Sequence, residues 1–226
     1  MVYKISDTSV ITAPNDVVFK EVIVGVHQEL LSERPSIGYA ATFAYVLGGR
    51  NSSAVQIDNV VRYPFSTDTN ATDIGNLSVA VDSGSAHGSL THGYHSVGRT
   101  GPTTLTTNIE KFGFSSSVST SPVGDLTQAR YQQSPQQNTT HGYVSGGANV
   151  IPANTAQVNT IDKFSFSTDG NGTDVGDLTQ ARFGIGAGQS SQTNGYTSGG
   201  RVPPANNGVN TIDKFPFATD ANATDV

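Results

Sequence analysis

Short apolar runs recur along the chain, each ended by glycine or by a stretch rich in Ser, Thr and Asn. In Gly142–Gly147, GYVSGG, the run reads as an inner strand followed by a turn, because glycine enters positive φ where a side chain would be strained. In KFSF, Phe164 and Phe166 stand two residues apart, which puts both rings on one face of a strand; that face is expected to be core. The segments STDTNATDIG (66–75), STDGNGTDVG (167–176) and ATDANATDV (218–226) are dense in side-chain oxygens that accept bonds from nearby amides, so they read as strand connections. IGNLSVAV (74–81) and VGDLTQAR (123–130 and 175–182) read as a further strand.

These patterns are periodic. AYVLGGR, GYHSVGR, GYVSGGA and GYTSGGR align on Tyr45, Tyr94, Tyr143 and Tyr196, spaced by 49, 49 and 53 residues. DNVVRYPFST, TNIEKFGFSS, NTIDKFSFST and NTIDKFPFAT align on Tyr63, Phe112, Phe164 and Phe215, and a third row aligns Leu77, Leu126 and Leu178. Three rows in one register define four units of about fifty residues, the signature of a repeat architecture.

The order of a hydrophobic run, a Gly-Gly pair, a later aromatic and a segment ending in Arg, as in Gly142–Arg182, resembles the kelch repeat. That resemblance covers about residues 30–226 and implies an all-β fold of kelch-like β-propeller blades, each a four-stranded sheet. Two departures stand out. The kelch tryptophan is absent, and the second unit has Ser96-Val97-Gly98 where the glycine pair would fall.

The fourth unit stops at Asp225-Val226, so its outer strand is expected to be missing. Leu31-Ser32-Glu33-Arg34-Pro35 resembles Leu178–Arg182 and could donate that strand, closing a ring and removing exposed edges. The alternative is that the chain is a fragment of a longer array. Residues 1–29 lie outside the repeat, with short strands expected at Val17–Phe19 and Val22–Val24; they read as a docking or oligomerisation arm, or as a strand pair packed under the repeat.

Composition narrows the function. The net charge of −6 without a basic patch argues against nucleic-acid or anionic-membrane partners. The absence of cysteine excludes disulfides, thiolate metal sites and a cysteine nucleophile. The N-terminus lacks the basic start and apolar run of a signal peptide, and no apolar run approaches the length of a membrane span, so a soluble chain is expected.

Three groups invite chemical readings. Asp68, Asn70 and Asp73, with counterparts Asp169, Asn171, Asp174 and Asp220, Asn222, Asp225, offer oxygens at alternating positions, as calcium loops do. The second unit has Ser115–Ser119 there and no bidentate glutamate follows, so solvated turns are the favoured reading and no cofactor is expected. His87, His92 and His95 fall within nine residues, but His92 aligns with His141 and Asn194, which marks a polar repeat position rather than a zinc ligand. No Gly-x-Ser-x-Gly elbow occurs, and the copper chemistry known on kelch-type propellers requires a cysteine-modified tyrosine, so no enzyme is expected. Asn-x-Ser/Thr matches at Asn70, Asn138, Asn171 and Asn222 read as coincidences of an Asn/Thr-rich turn.

NTIDKFPFATDANATDV, GDLTQAR and HGYxSGG, with the opening MVYKISDTSVIT, resemble repeat proteins of tailed bacteriophages, notably those of marine cyanobacteria. This resemblance implies a virion structural protein, a tail fibre or other surface appendage, assembled in the host cytoplasm and serving attachment to the host. The arm over residues 1–29 would dock to other virion proteins, a homo-oligomer is expected, and Tyr39, Arg50, Arg99 and Arg201 are the candidates to meet a host glycan or protein. The alternative is a cellular kelch-type scaffold that binds another protein through its loops.

Overall fold

Strands form where the repeat rows place β-favouring residues, and they assemble unit by unit. In a computed structural model, the described residues are 43–114, 117–151, 156–185, 188–202 and 207–226. The chain divides into two compact units, Met1–Ser36 and Ile37–Val226, and the described residues all belong to the second. The arm over residues 1–29, its two expected strands, the segment Leu31–Pro35 and Tyr39 lie outside them.

The first sheet contains β1 (Phe43–Leu47), β2 (Asn59–Pro64) and β3 (Thr72–Asn76). The second is built from β4 (Ser85–Gly88), β5 (His92–Arg99), β6 (Leu105–Gly113) and, after the short β7 (Val118–Ser119), β8 (Ser121–Asp125). The third has β9 (Ser134–Gln137), β10 (His141–Ser145), β11 (Thr160–Ser165) and β12 (Thr173–Asp177). The fourth combines β13 (Gly188–Ser190), β14 (Asn194–Ser198), β17 (Ile212–Pro216) and β18 (Thr224–Asp225), with β15 (Arg201–Val202) and β16 (Asn207–Gly208) forming a separate two-stranded ribbon. Each set is antiparallel; β7 crosses to pair parallel with β3. The described residues form no helix, and the all-β expectation holds.

Two sequence expectations need correction. The outer strand is Thr173–Asp177, which takes in the end of the segment expected as a connection (167–176) and only the first three residues of VGDLTQAR, because the chain leaves the sheet at Leu178, whose amide donates to the Asn159 carbonyl at 2.7 Å. Leu77 and Leu126 do the same to Asp58 and Thr107, so LTQAR is a crossover between sheets. The fourth sheet also has its outer strand: β18 pairs Thr224 and Asp225 with Lys214 and Asp213.

Both faces of an inner sheet are covered by neighbouring sheets. In β11, Asp162 and Phe164 point back to the second sheet, whereas Ile161 and Lys163 point forward to the fourth. The aromatic pair therefore faces core, as its spacing predicts. Tyr45, Tyr94 and Tyr143 each lie against two Phe rings of the following sheet: Phe112 and Phe114, Phe164 and Phe166, Phe215 and Phe217. Tyr94 stacks on Phe166 at 4.7 Å and Tyr143 on Phe217 at 4.8 Å.

The glycine before Tyr94, Tyr143 and Tyr196 follows from this packing; Tyr45 is preceded by Ala44, which pairs with Tyr63. Gly142 pairs across strands with Phe164, whose ring covers it; a Cβ at 142 would sit 2.4 Å from the ring's Cζ. The ring cannot retreat, because His87, Tyr94 and Phe166 surround it. The glycine pair after the strand turns the chain as expected, with φ of 65° and 103° at Gly146 and Gly147. In the second sheet Val97 takes the first of these places at φ 50° and is fully buried. A β-branched residue there is strained by about 1–3 kcal/mol. Burial of its side chain against Tyr94, Ile109 and Leu126 opposes that cost.

Gly142→Ala is expected to lower stability by about 1–3 kcal/mol through overpacking against Phe164. Urea denaturation followed by circular dichroism measures it.

Candidate binding face

The crossovers fix how one sheet sits on the next. Thr127 caps Asp162 of the third sheet with both its amide and its hydroxyl, and Arg130 from the same crossover donates to Asp162 at 2.8 Å and to the Val144 carbonyl at 3.0 Å. Thr179 and Arg182 repeat the arrangement on Asp213 and the Thr197 carbonyl of the fourth sheet. Both ion pairs are inaccessible to solvent. Burial pushes Arg130 below the usual guanidinium range, and the charges of Asp162 and Asp174 oppose that shift. At the first junction Val81 takes the place of the arginine and the acid is Glu110, which accepts from the Ser78 amide, the Ser78 hydroxyl and the Thr120 hydroxyl.

The innermost strands add a second polar seam. His87 Nε2 meets the Tyr143 carbonyl at 2.9 Å, and at the aligned place Gln136 donates to the Tyr196 carbonyl at 3.1 Å. Burial lowers the pKa of His87 to about 4, and likewise that of His95, so both rings are neutral at pH 7. His92 is elsewhere: its Nδ1 meets the Thr91 hydroxyl, as His141 meets Thr140 and Asn194 meets Thr193. The repeat position thus does take an amide. The three histidines do not converge, and no group of three metal-ligating residues occurs among the described residues.

The Asp/Asn turns also serve the junctions. Asp169 and Asp220 pair with Lys111 and Lys163 of the preceding sheet. Asn171 and Asn222 accept from the Asp125 and Asp177 amides at 3.0 Å. Asp73 and Asp174 instead hold the amides of Gly75 and Gly176 in their own strands. The oxygens of one turn therefore point to different partners. Asn138 caps its own turn, accepting from the amides of Thr140 and His141.

At one end of the sheets, residues after the glycine turn pair with residues after the crossover: Arg99 with Asp82, Ala148 with Tyr131, Arg201 with Phe183. Asp82 gathers Arg50 at 2.6 Å, Arg99 at 2.9 Å, Gln56 and Ser83. Burial alone would raise this carboxyl, but these hydrogen bonds hold it below its ordinary range. The Arg99 guanidinium lies 5.6 Å over the Tyr131 ring, and Tyr131, Ala148 and Phe183 form an apolar cluster with Leu105 and Ile151. Of the residues singled out from sequence, Arg50 and Arg99 meet on Asp82, and Arg201 is exposed beyond Phe183. Asp82, Tyr131 and Phe183 were not foreseen; their signal is a place that varies directly after the recurring VAV or QAR. Tyr131 and Phe183 are buried beneath this end, so what it offers to solvent is the guanidinium groups of Arg50, Arg99 and Arg201, whose planar donors suit carboxylates and other polar planar groups. Asp82 is saturated with donors and is not poised as a base.

No protein-family model matches the chain, and none of the curated proteins is similar to it.

Two outcomes follow. Arg182→Met leaves Asp213 buried and uncompensated and is expected to cost about 3–5 kcal/mol, most of it recovered when Asp213→Leu is added; urea denaturation of both variants measures this. Unfolded His87 titrates near 6.5 and the folded ring near 4, so between these values only the unfolded chain takes up the proton. Stability is full above pH 6.5 and falls as pH drops toward 4. His87→Gln, the residue at 136 and 189, is expected to reduce the loss between pH 7 and 5.5 by about 1 kcal/mol.

Proposed function

We propose that the chain is a non-enzymatic display and binding module, four kelch-like β-propeller blades carried on a tailed-bacteriophage virion as part of a tail fibre or other surface appendage. The observation that carries the binding reading is the division of labour within the repeat. Its recurring acids, arginines and inner polar residues hold one sheet to the next, whereas the arginines after the glycine turn, Arg50, Arg99 and Arg201, are exposed or half-buried at one end, above residues that differ from unit to unit after the crossover (Asp82, Tyr131, Phe183). A rigid repeat with variable loops is a common basis for binding. The resemblance of NTIDKFPFATDANATDV and GDLTQAR to phage repeat proteins supports the virion placement. Residues 1–29 would dock to other virion proteins, and the variable end would meet a host glycan or protein.

Immunogold labelling of purified particles is expected to mark an appendage, and Arg201→Ala is expected to weaken binding of the protein to host cells several-fold without unfolding it. Absence from particles, with capture of a cellular protein instead, would favour the cellular scaffold.

A further inference from the structure

The junctions between sheets join corresponding half-surfaces, a forward set with a tyrosine and a rear set with two phenylalanines. The forward half in the second sheet is Tyr94, Ile109 and Val123; the rear half that receives it in the third is Val144, Phe164 and Phe166. Once joined they are dry: Tyr94, Ile109, Val144 and Phe164 are at most 3% exposed.

Two unjoined halves remain among the described residues. The first sheet shows the rear set, Val46, Tyr63 and Phe65, at 50%, 39% and 57% exposure. The fourth shows the forward set, Tyr196, Ile212 and Val226, with Ile212 and Val226 at 41% and 63%. The charges match as well. Lys214 aligns with Lys111 and Lys163, and Asp68 aligns with their partners Asp169 and Asp220. Neither Lys214 nor Asp68 has an ion pair among the described residues. Because both apolar sets stay exposed, they do not cover each other within one chain.

We infer that a second copy of this chain docks head to tail, the fourth sheet of one copy seating Tyr196 on the Tyr63–Phe65 pair of the next and Lys214 against Asp68. Large exposed apolar patches of this kind mark association surfaces. The contact joins unlike surfaces, so it either closes a ring of copies or extends as a filament. It stands independently of any virion role.

Sedimentation of the full chain is expected to show concentration-dependent association that Phe65→Glu weakens by about tenfold or more. Asp68→Lys and Lys214→Asp should each weaken it, and the chain carrying both should regain it; circular dichroism should stay unchanged because these side chains are exposed or half-buried. As the chain has no cysteine, Asp68→Cys and Lys214→Cys chains mixed with a short bismaleimide should give a covalent dimer that neither gives alone. Monomers at every concentration, association indifferent to Phe65→Glu, cross-linked dimers from Asp68→Cys alone, or cross-linking within single dilute chains carrying both cysteines would each overturn the inference.

Discussion

The packing of the sheets depends on a buried acid in the third strand of one sheet that is satisfied only by the crossover from the sheet before. Asp162 receives Thr127 and Arg130, and Asp213 receives Thr179 and Arg182, in places without solvent access. An acid there without its partners would be severely penalised, so the sheets are held in one relative position by electrostatic necessity as much as by apolar contact. The Tyr and Phe rings then fill the space that this alignment sets.

The repeat rows make the register legible in the sequence. The glycine turn, the shared face of Phe164 and Phe166, and the polar place of His92, His141 and Asn194 all follow from local rules. The crossover did not, because Leu178 continues an apolar pattern that an outer strand would also show. Its departure from the sheet is decided by a bond to Asn159 and by the demand of Asp213 in a different unit. The binding end was half legible. Arg50, Arg99 and Arg201 were visible as charges after the turn, but Asp82, which gathers two of them, lies in another row and on another strand connection.

The same accounting separates architecture from function. His87, the turn asparagines and the paired aspartates have the chemistry of sites, yet each faces a carbonyl, an amide or a cation of the fold. Of the residues singled out, Arg201 is the one left exposed without an ion pair among the described residues, beside the buried cluster of Tyr131, Ala148 and Phe183.

The substitution at the first junction has a consequence for descent. This junction carries Val81 where the later ones carry an arginine, and Glu110, an acid longer by one methylene with hydroxyl partners, where they carry an aspartate. Were recombination to move the first crossover in front of the third sheet, Val81 would confront Asp162 with no guanidinium. Near-identical units are prone to exchange, but these are matched as neighbours, and the buried pairs would select against reordered arrays while leaving duplication of the third unit, whose sheet carries Asp162 and whose crossover carries Arg182, comparatively free.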